Sequence, residues 1–490
     1  MIRNALTSGP WAAGGVTIVT LLLAGCATPV PQALSPQLMP ASFAAEPEAK
    51  EAPWPKPDWW NDFGSPELSD LVARAQVDNR SLAAADARVL EARAQSVVQR
   101  SALLPQVDLQ AVGQRAKLGS PQQSSGFASG MSNSFGVSVG ASYEADPFGL
   151  ARAHWRAAQE SLKASRFARQ SAALAITASV ANTYFNVLAL RKRIDIADQN
   201  IKAIGEILKT IELRVQTGKS SHLDLAQERA QVEFVEAETG ELREQELEAR
   251  VALAVLIGRP PQALTVITSG PDAVRLPVVA PGLPSELLQR RPDVAQAEAD
   301  LASAHANLDA ARAAFLPQFS LSGSDGYASS TLTTLLRAPN LVWDVSGALV
   351  QTLFDGGKLK GQAALARSAQ QELIADYQLA VLNAYADVET AMGQVRNNGE
   401  VEVHLKREVD AAREAFEISE LQYRQGTADL IPVLQAQQTF FAAEDQLAQI
   451  TLARMQAVVH LYEALGGGWL EDARERTQYA QTAAAVRQRP

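Results

Sequence analysis

The sequence predicts a membrane β-barrel continued by an all-α coiled-coil tunnel, built from an internally duplicated chain. Three observations carry this. The chain reads twice: Ala102-Leu103-Leu104-Pro105-Gln106 returns as Ala314-Phe315-Leu316-Pro317-Gln318. Leu213 to Gly218, then Leu225 and Gln227, return as Leu421 to Gly426, then Val433 and Gln435. Such a duplication is one structural unit used twice about a shared axis. Each copy holds two short segments in which apolar and polar residues alternate, the signal of half-buried strands. Each copy then runs into a very long helical pattern: from Phe148 to Arg259 there is no proline.

The N-terminus reads as a targeting segment over 1–25. Arg3 precedes an apolar stretch, Val16 to Leu22, and small residues follow at Leu23-Ala24-Gly25-Cys26. A charged start, a short apolar core and small residues at the cut describe a secretory signal, and the run is too short to span a membrane. Leu-Ala-Gly-Cys resembles a bacterial lipobox, whose cysteine becomes the lipidated first residue; Ala27 after it favours the outer membrane by the same resemblance. Cys26 is the only cysteine, so no internal disulfide is possible. The covalent lipid expected there is an N-palmitoyl and an S-diacylglycerol group, and no other cofactor is expected. Residues 26–58, rich in proline, stay extended and read as a tether.

Beyond the tether, 59–268 form the first repeat, 269–470 the second and 471–490 a flexible C-terminal tail. Trp59, Trp60 and Phe63 begin the ordered chain. Pro66 to Gln76 and Ser81 to Ala102 read as amphipathic helices, which Pro105 stops. Val107, Leu109 and Ala111, then Phe135, Val137, Val139, Ala141 and Tyr143, mark two strands, joined by a Gly/Ser/Gln-rich loop from Gly119 to Gly130. The following helix carries two apolar rows at seven-residue spacing, Ala173 to Val215 and Ile176 to Ile211, which is a coiled-coil seam. From about 150 to 217 it would be roughly 100 Å long. Gly218 caps it and Ser221 with Asp224 starts the return helix, so the chain makes a helical hairpin with a tight tip.

A Pro-rich crossing, Pro260 to Pro284, and a short turn, Ser285 to Gln289, lead to the second copy. Arg291 to Ala314 repeats the earlier helix. Phe319 and Leu321, then Leu341, Trp343, Val345, Leu349 and Leu353, repeat the strands. Asp355-Gly356-Gly357 breaks the last strand, Lys358 to Gln425 is the long helix, and Gly426 caps it. Thr427 or Asp429 starts the last helix, which Gly466-Gly467-Gly468 stops.

Four strands cannot close a barrel alone, because two edges would meet lipid with unpaired backbone groups. The strands carry apolar residues on one face and Ser, Gly, Gln and Asp on the other, the outside and inside of a membrane barrel. Two chains would supply eight strands and a filled barrel; three would supply twelve and a water-filled lumen. No apolar run after the leader is long enough for a transmembrane helix.

The net charge of −10 with mixed signs argues against nucleic acid as a partner. His154, His222, His305, His404 and His460 are scattered, without the spacing of a metal site. Gly466-Gly467-Gly468 lacks the Lys-Ser/Thr of a phosphate loop. Glu233, Glu236 and Glu238 lie on a charged helix face, and Asp293 reads as a helix cap. Nothing pairs a nucleophile with a base, so no enzyme is expected.

Several spaced motifs resemble one family. They are Trp59-Trp60-x-x-Phe63, Asn79-x-x-Leu82, Leu103-Leu104-Pro105, Leu287-Leu288-x-Arg290-Arg291-Pro292-Asp293, Phe354-Asp355-Gly356-Gly357 and Tyr423-x-x-Gly426. Over about residues 23–468 the chain is similar to the outer-membrane efflux lipoproteins, the TolC-like, NodT-type group. The resemblance implies a homotrimer with a twelve-stranded barrel and an α-helical periplasmic tunnel. It implies a passive exit duct of tripartite pumps, partnered by a periplasmic adaptor and an inner-membrane transporter of RND type. It also implies a periplasmic gate of Asp and Tyr rings, opened by an iris-like shift. The matching residues are Asp224 and Tyr423, with Asp429 close by; Gly218 and Gly426 make the helix-tip turns. Where some members carry further aspartates this chain has Pro432 and Gln435, so its second-copy gate is less acidic. The competing readings are a helix N-terminal carboxylate for Asp224 and a packed interhelical aromatic for Tyr423. For the whole chain, the alternatives to small-molecule efflux are a type I protein-secretion channel and a non-transporting structural lipoprotein.

Overall fold

A computed structural model describes residues 55–117, 131–279 and 290–468, all within one compact unit, Ala41–Pro490. Cys26, the leader, most of the tether, the loop from Gly119 to Gly130, the turn Ser285 to Gln289 and the tail 471–490 lie outside the described residues. The elements follow the duplicated order. Helices α1 (Pro66–Asp78) and α2 (Arg80–Ser101) precede strands β1 (Gln106–Lys117) and β2 (Met131–Ala145) and the hairpin α3 (Leu150–Gln216) and α4 (His222–Leu256). The second copy gives α5 (Pro292–Ala313), β3 (Gln318–Ser329), β4 (Leu341–Val350), and the hairpin α6 (Lys358–Gln425) and α7 (Leu430–Ala464).

The strands form one antiparallel sheet in chain order, β1-β2-β3-β4. Among the described residues its outer strands pair on one side only, and every residue of β4 and all but one of β1 is exposed. A sheet with both edges open and its faces bare is incomplete as a soluble structure. The register explains what would cover it. Asp108, Gly140, Ser324 and Asp344 share one row; Gln106, Ser142, Ser322 and Ser346 share another. The opposite face carries Leu109, Val139 and Trp343, which are 74%, 50% and 73% exposed. Aromatic residues bracket that face: Phe135, Tyr327 and Trp343 at one end, Tyr143 and Phe319 at the other, as in a membrane barrel. Twelve residues at about 3.4 Å each, tilted by about 40°, span roughly 30 Å.

Two expectations need correction. The last strand stops at Val350, so Leu353 lies beyond it. The Gln351 amide instead donates to the Phe315 carbonyl at 3.0 Å, and the Asp355 carboxylate accepts from Gly357 and Leu359 to start α6. The aspartates do not all take the polar face, either. Asp325 lies opposite Val139 and Trp343, on the face of the apolar residues, which a membrane barrel turns to lipid. Because an acid there is unfavourable even away from the midplane, Asp325→Leu is expected to stabilise the inserted barrel by about 1 kcal/mol. Denaturant titration in lipid vesicles would read this; a destabilised variant would refute the outward placement.

The core lies where the two hairpins meet α1. Trp59, Phe63, Leu68 and Val72 pack on Tyr184, Phe185 and Leu188 of α3, Leu253 of α4 and its C-cap Ile257, and Val459 and Tyr462 of α7. Trp59 stacks on Tyr462 with ring centroids 4.8 Å apart, and the Tyr462 hydroxyl donates to Asp62. Glu67 accepts from the Ile267 and Thr268 amides, fastening the crossing segment onto α1. Asn79 caps α2 while its amide donates to the Leu256 carbonyl. The middle of α3 is therefore enclosed on more faces than its two seam rows require. That accounts for a window in α3 apolar enough to pass for a membrane span, which corrects the expectation that no run after the leader would be; 56% of it is buried within the chain. Asp293 sits in the first turn of α5 clamped by Arg291, while Arg291 itself is the N-cap residue. After α7, Gly466 holds φ +88°, and a side chain there would strike the Arg290 carbonyl, so the glycine run both stops the helix and admits close packing.

Candidate functional site at the helix tips

Both hairpins turn in the same way. At the first, Lys219 N–H donates to the Arg214 carbonyl and Gly218 N–H to Val215; at the second, Thr427 donates to Gln422 and Gly426 to Tyr423. This pair of bonds closes a helix with a left-handed residue, and Gly218 and Gly426 supply it at φ +71° and +77°. The return helices start differently. Ser221 and Asp224 form a reciprocal capping box, whereas Asp429 occupies the N-cap of α7 without a side-chain cap bond.

Asp224 is half-buried. Its carboxylate accepts from Ser221 N–H at 2.9 Å and the Ser220 hydroxyl at 2.7 Å. Those donors, the Ser221 amide first, hold its pKa below the usual carboxylate range, so it carries full charge at neutral pH. Asp429 is exposed. Tyr423 is only 5% exposed and belongs to a tip cluster with Ile207 and Ile211 of α3, Phe416 of α6, and Leu430, Val433 and Phe440 of α7. Its hydroxyl has no hydrogen-bond partner among the described residues. In one chain the packed-aromatic description therefore fits Tyr423, and Asp224 serves as a cap.

A contact that joins the two hairpin tips was not expected from sequence. Arg214, one turn before the first tip, donates from one guanidinium nitrogen to the Tyr423 carbonyl at 2.7 Å and the Arg424 carbonyl at 3.1 Å. The same guanidinium lies 4.4 Å from the centroid of the Tyr423 ring. The last carbonyls of a helix carry its negative dipole end, so a cation fits them, and the ring face adds a cation–π attraction. Arg214 thus fastens the end of α3 to the end of α6. Farther from the tip, Arg193 of α3 grips Asp445 of α7 with two bonds, 2.5 and 3.1 Å. An arginine in the last turn is ordinary as a helix end, which is why its partner could not be read from the sequence.

Seven residues into α4, Glu228 is fully buried, and burial alone pushes its pKa up to about 7. Leu225, Glu228 and Val235 lie at seam spacing, so the sequence signal was a charge in an apolar row. Glu233, Glu236 and Glu238 are exposed, as expected. Among the described residues no group of His, Cys, Asp and Glu is placed to hold a metal.

The profile of the outer membrane efflux protein family matches residues 71–259 and 283–467, one segment in each copy. The chain is 37% identical over 462 residues to the pyoverdine export outer membrane protein OpmQ of Pseudomonas putida, covering 94% of this chain and 98% of that protein. It is 30% identical over 424 residues to the toluene efflux pump outer membrane protein TtgC of the same species, covering 86% and 87%. Among solved structures, the outer-membrane channel OprN superposes with a TM-score of 0.83 at 27% identity, over 90% of this chain and 99% of that one. The open state of the MtrE outer membrane channel of Neisseria gonorrhoeae gives 0.79 at 29% identity, over 90% and 98%. The fold is thus the expected one, membrane-barrel strands joined to a duplicated helical tunnel. The chain belongs to the outer membrane efflux protein family, a family of channels of the outer membrane and not of enzymes.

Proposed function

We propose that three copies of this chain form the passive exit duct of a tripartite efflux pump, carrying small molecules from the periplasmic side to the outside. The observation that carries it is the bare four-stranded sheet, open at both edges, beside two long hairpins fastened at their tips by Arg214. Three such sheets make twelve strands, the number at which a barrel keeps a water-filled lumen. In that assembly Asp224, Tyr423 and Asp429 recur threefold around the tips, and the turns at Gly218 and Gly426 form the rim. The gate opens when the hairpins shift apart like an iris, which breaks the Arg214 contacts. An energised inner-membrane transporter of RND type and a periplasmic adaptor complete the pump. The likeness to OpmQ over nearly the whole chain makes a pyoverdine-like metabolite the first candidate cargo. A type I secretion duct would share this body, but the relatives named above favour small molecules.

Cys26 carries a covalent lipid, an N-palmitoyl and an S-diacylglycerol group, that anchors the chain to the outer membrane. Cys26→Ala is expected to lose metabolic palmitate labelling while the protein still reaches the outer-membrane fraction through its barrel. Equal labelling of the variant would remove Cys26 from the account. The function itself is tested in planar bilayers: the purified protein should conduct ions in discrete steps, and bound protein without conductance would exclude a duct.

A further inference from the structure

Glu228 of α4 and Gln437 of α7 are buried polar knobs at one level of the tip bundle. They lie seven and eight residues beyond the caps Ser221 and Asp429, roughly 10–12 Å from the tips at 1.5 Å per residue. Among the described residues, both Glu228 carboxylate oxygens lack a hydrogen-bond partner, as do both polar atoms of the Gln437 amide. Glu228 is 0% exposed and Gln437 2%. Because Glu228 is already enclosed within one chain, a neighbouring copy cannot solvate it. The helices α4 and α7 adjoin at this level, where Gln438 donates to Gln231 at 3.3 Å.

Among the described residues no cation pairs with it. On α3, Glu212 pairs with Arg229 of α4 at 3.0 Å, Arg214 is committed to the Tyr423 and Arg424 carbonyls, and Lys209 lies on the exposed side. On α4 itself, Asp224 is held in the capping box, and His222 and Glu233 are exposed. On α6, Arg424 pairs with Glu420 at 2.5 Å and Glu417 is exposed; α7 has no charged side chain between Asp429 and Glu444. An ionised carboxylate without a partner is costly in such a place.

We propose that Glu228 is a proton-operated latch of the tips: protonated, it packs in the seam and holds α4 against α3 and α7; ionised, it loosens them. This rests on the gate reading above and adds its regulation. The direction follows from linkage. The packed tip holds the proton up to about pH 7, while a hydrated Glu228 releases it near its ordinary 4.5. Between those values opening releases a proton, so the packed state is favoured in acid and opening rises by up to about tenfold per pH unit.

Hydrogen exchange of the detergent-solubilised protein, corrected for intrinsic rates, tests this between pH 5 and 8. In segment 222–235 the opening constant should rise on the order of a hundredfold and level off near pH 7. Glu228→Gln should abolish the slope, and Glu228→Leu should remain protected at every pH. A wild-type profile without a slope, a Glu228→Gln variant that keeps it, or a Glu228→Leu tip looser than wild type at pH 8 would each overturn the latch. Bilayer conductance separates the two readings. If exchange follows Glu228 but conductance ignores pH, the latch stands and the gate at the tips fails.

Discussion

Trp59→Ala is expected to destabilise the protein by about 3–5 kcal/mol, the usual cost of emptying a large aromatic site. Trp59 is 1% exposed. It stacks on Tyr462 of α7 and meets Trp60 and Phe63 edge-on, at 6.0 and 6.2 Å. The cavity would open where the segment before α1 holds α3, α4 and α7 together, with little room to collapse. Thermal or chaotrope unfolding of the extracted protein should show the loss, and Trp60→Ala, at a half-buried position, should show much less. A loss below about 1 kcal/mol for Trp59→Ala would mean that this core does not organise the hairpins.

Arg214→Ala is expected to open the tips. Charge-assisted hydrogen bonds are worth about 1.5–3 kcal/mol each where well shielded. Arg214 is only half-buried, so the two bonds and the ring contact together are taken as about 2 kcal/mol. That is roughly a 30-fold rise in the open fraction, at 1.4 kcal/mol per factor of ten. Arg214→Lys keeps the charge but loses the planar fork, and should fall between. Single-channel recording reads the effect as longer or larger openings without a change in barrel insertion. Conductance unchanged in Arg214→Ala would place the constriction elsewhere.

Much of the fold was legible because its periodicities are long. The seven-residue rows from Ala173 to Val215 fixed the first long helix, and Gly218 and Gly426 marked both tips, since a left-handed helix stop is nearly specific to glycine. Pairing was legible only in part. Alternation located the strands, but it could not say that the side chain of Gln351 would leave the ladder for the Phe315 carbonyl. It also assigned every aspartate to the lumen, whereas Asp325 obeys the register instead. The tip chemistry was the least legible. Asp224 and Tyr423 were found by resemblance; Arg214 and Glu228 were missed because their meaning lies in partners. Arg214 reaches a carbonyl 209 residues away. Glu228 matters because both of its oxygens lack a hydrogen-bond partner among the described residues.

The central claim is a threefold duct closed from three open sheets, and electron cryo-microscopy of the detergent-extracted, lipidated protein tests it most directly. Threefold particles with a closed barrel and a hollow tube on the order of 100 Å long are expected. Monomers with an open sheet, or rods without a lumen, would contradict it.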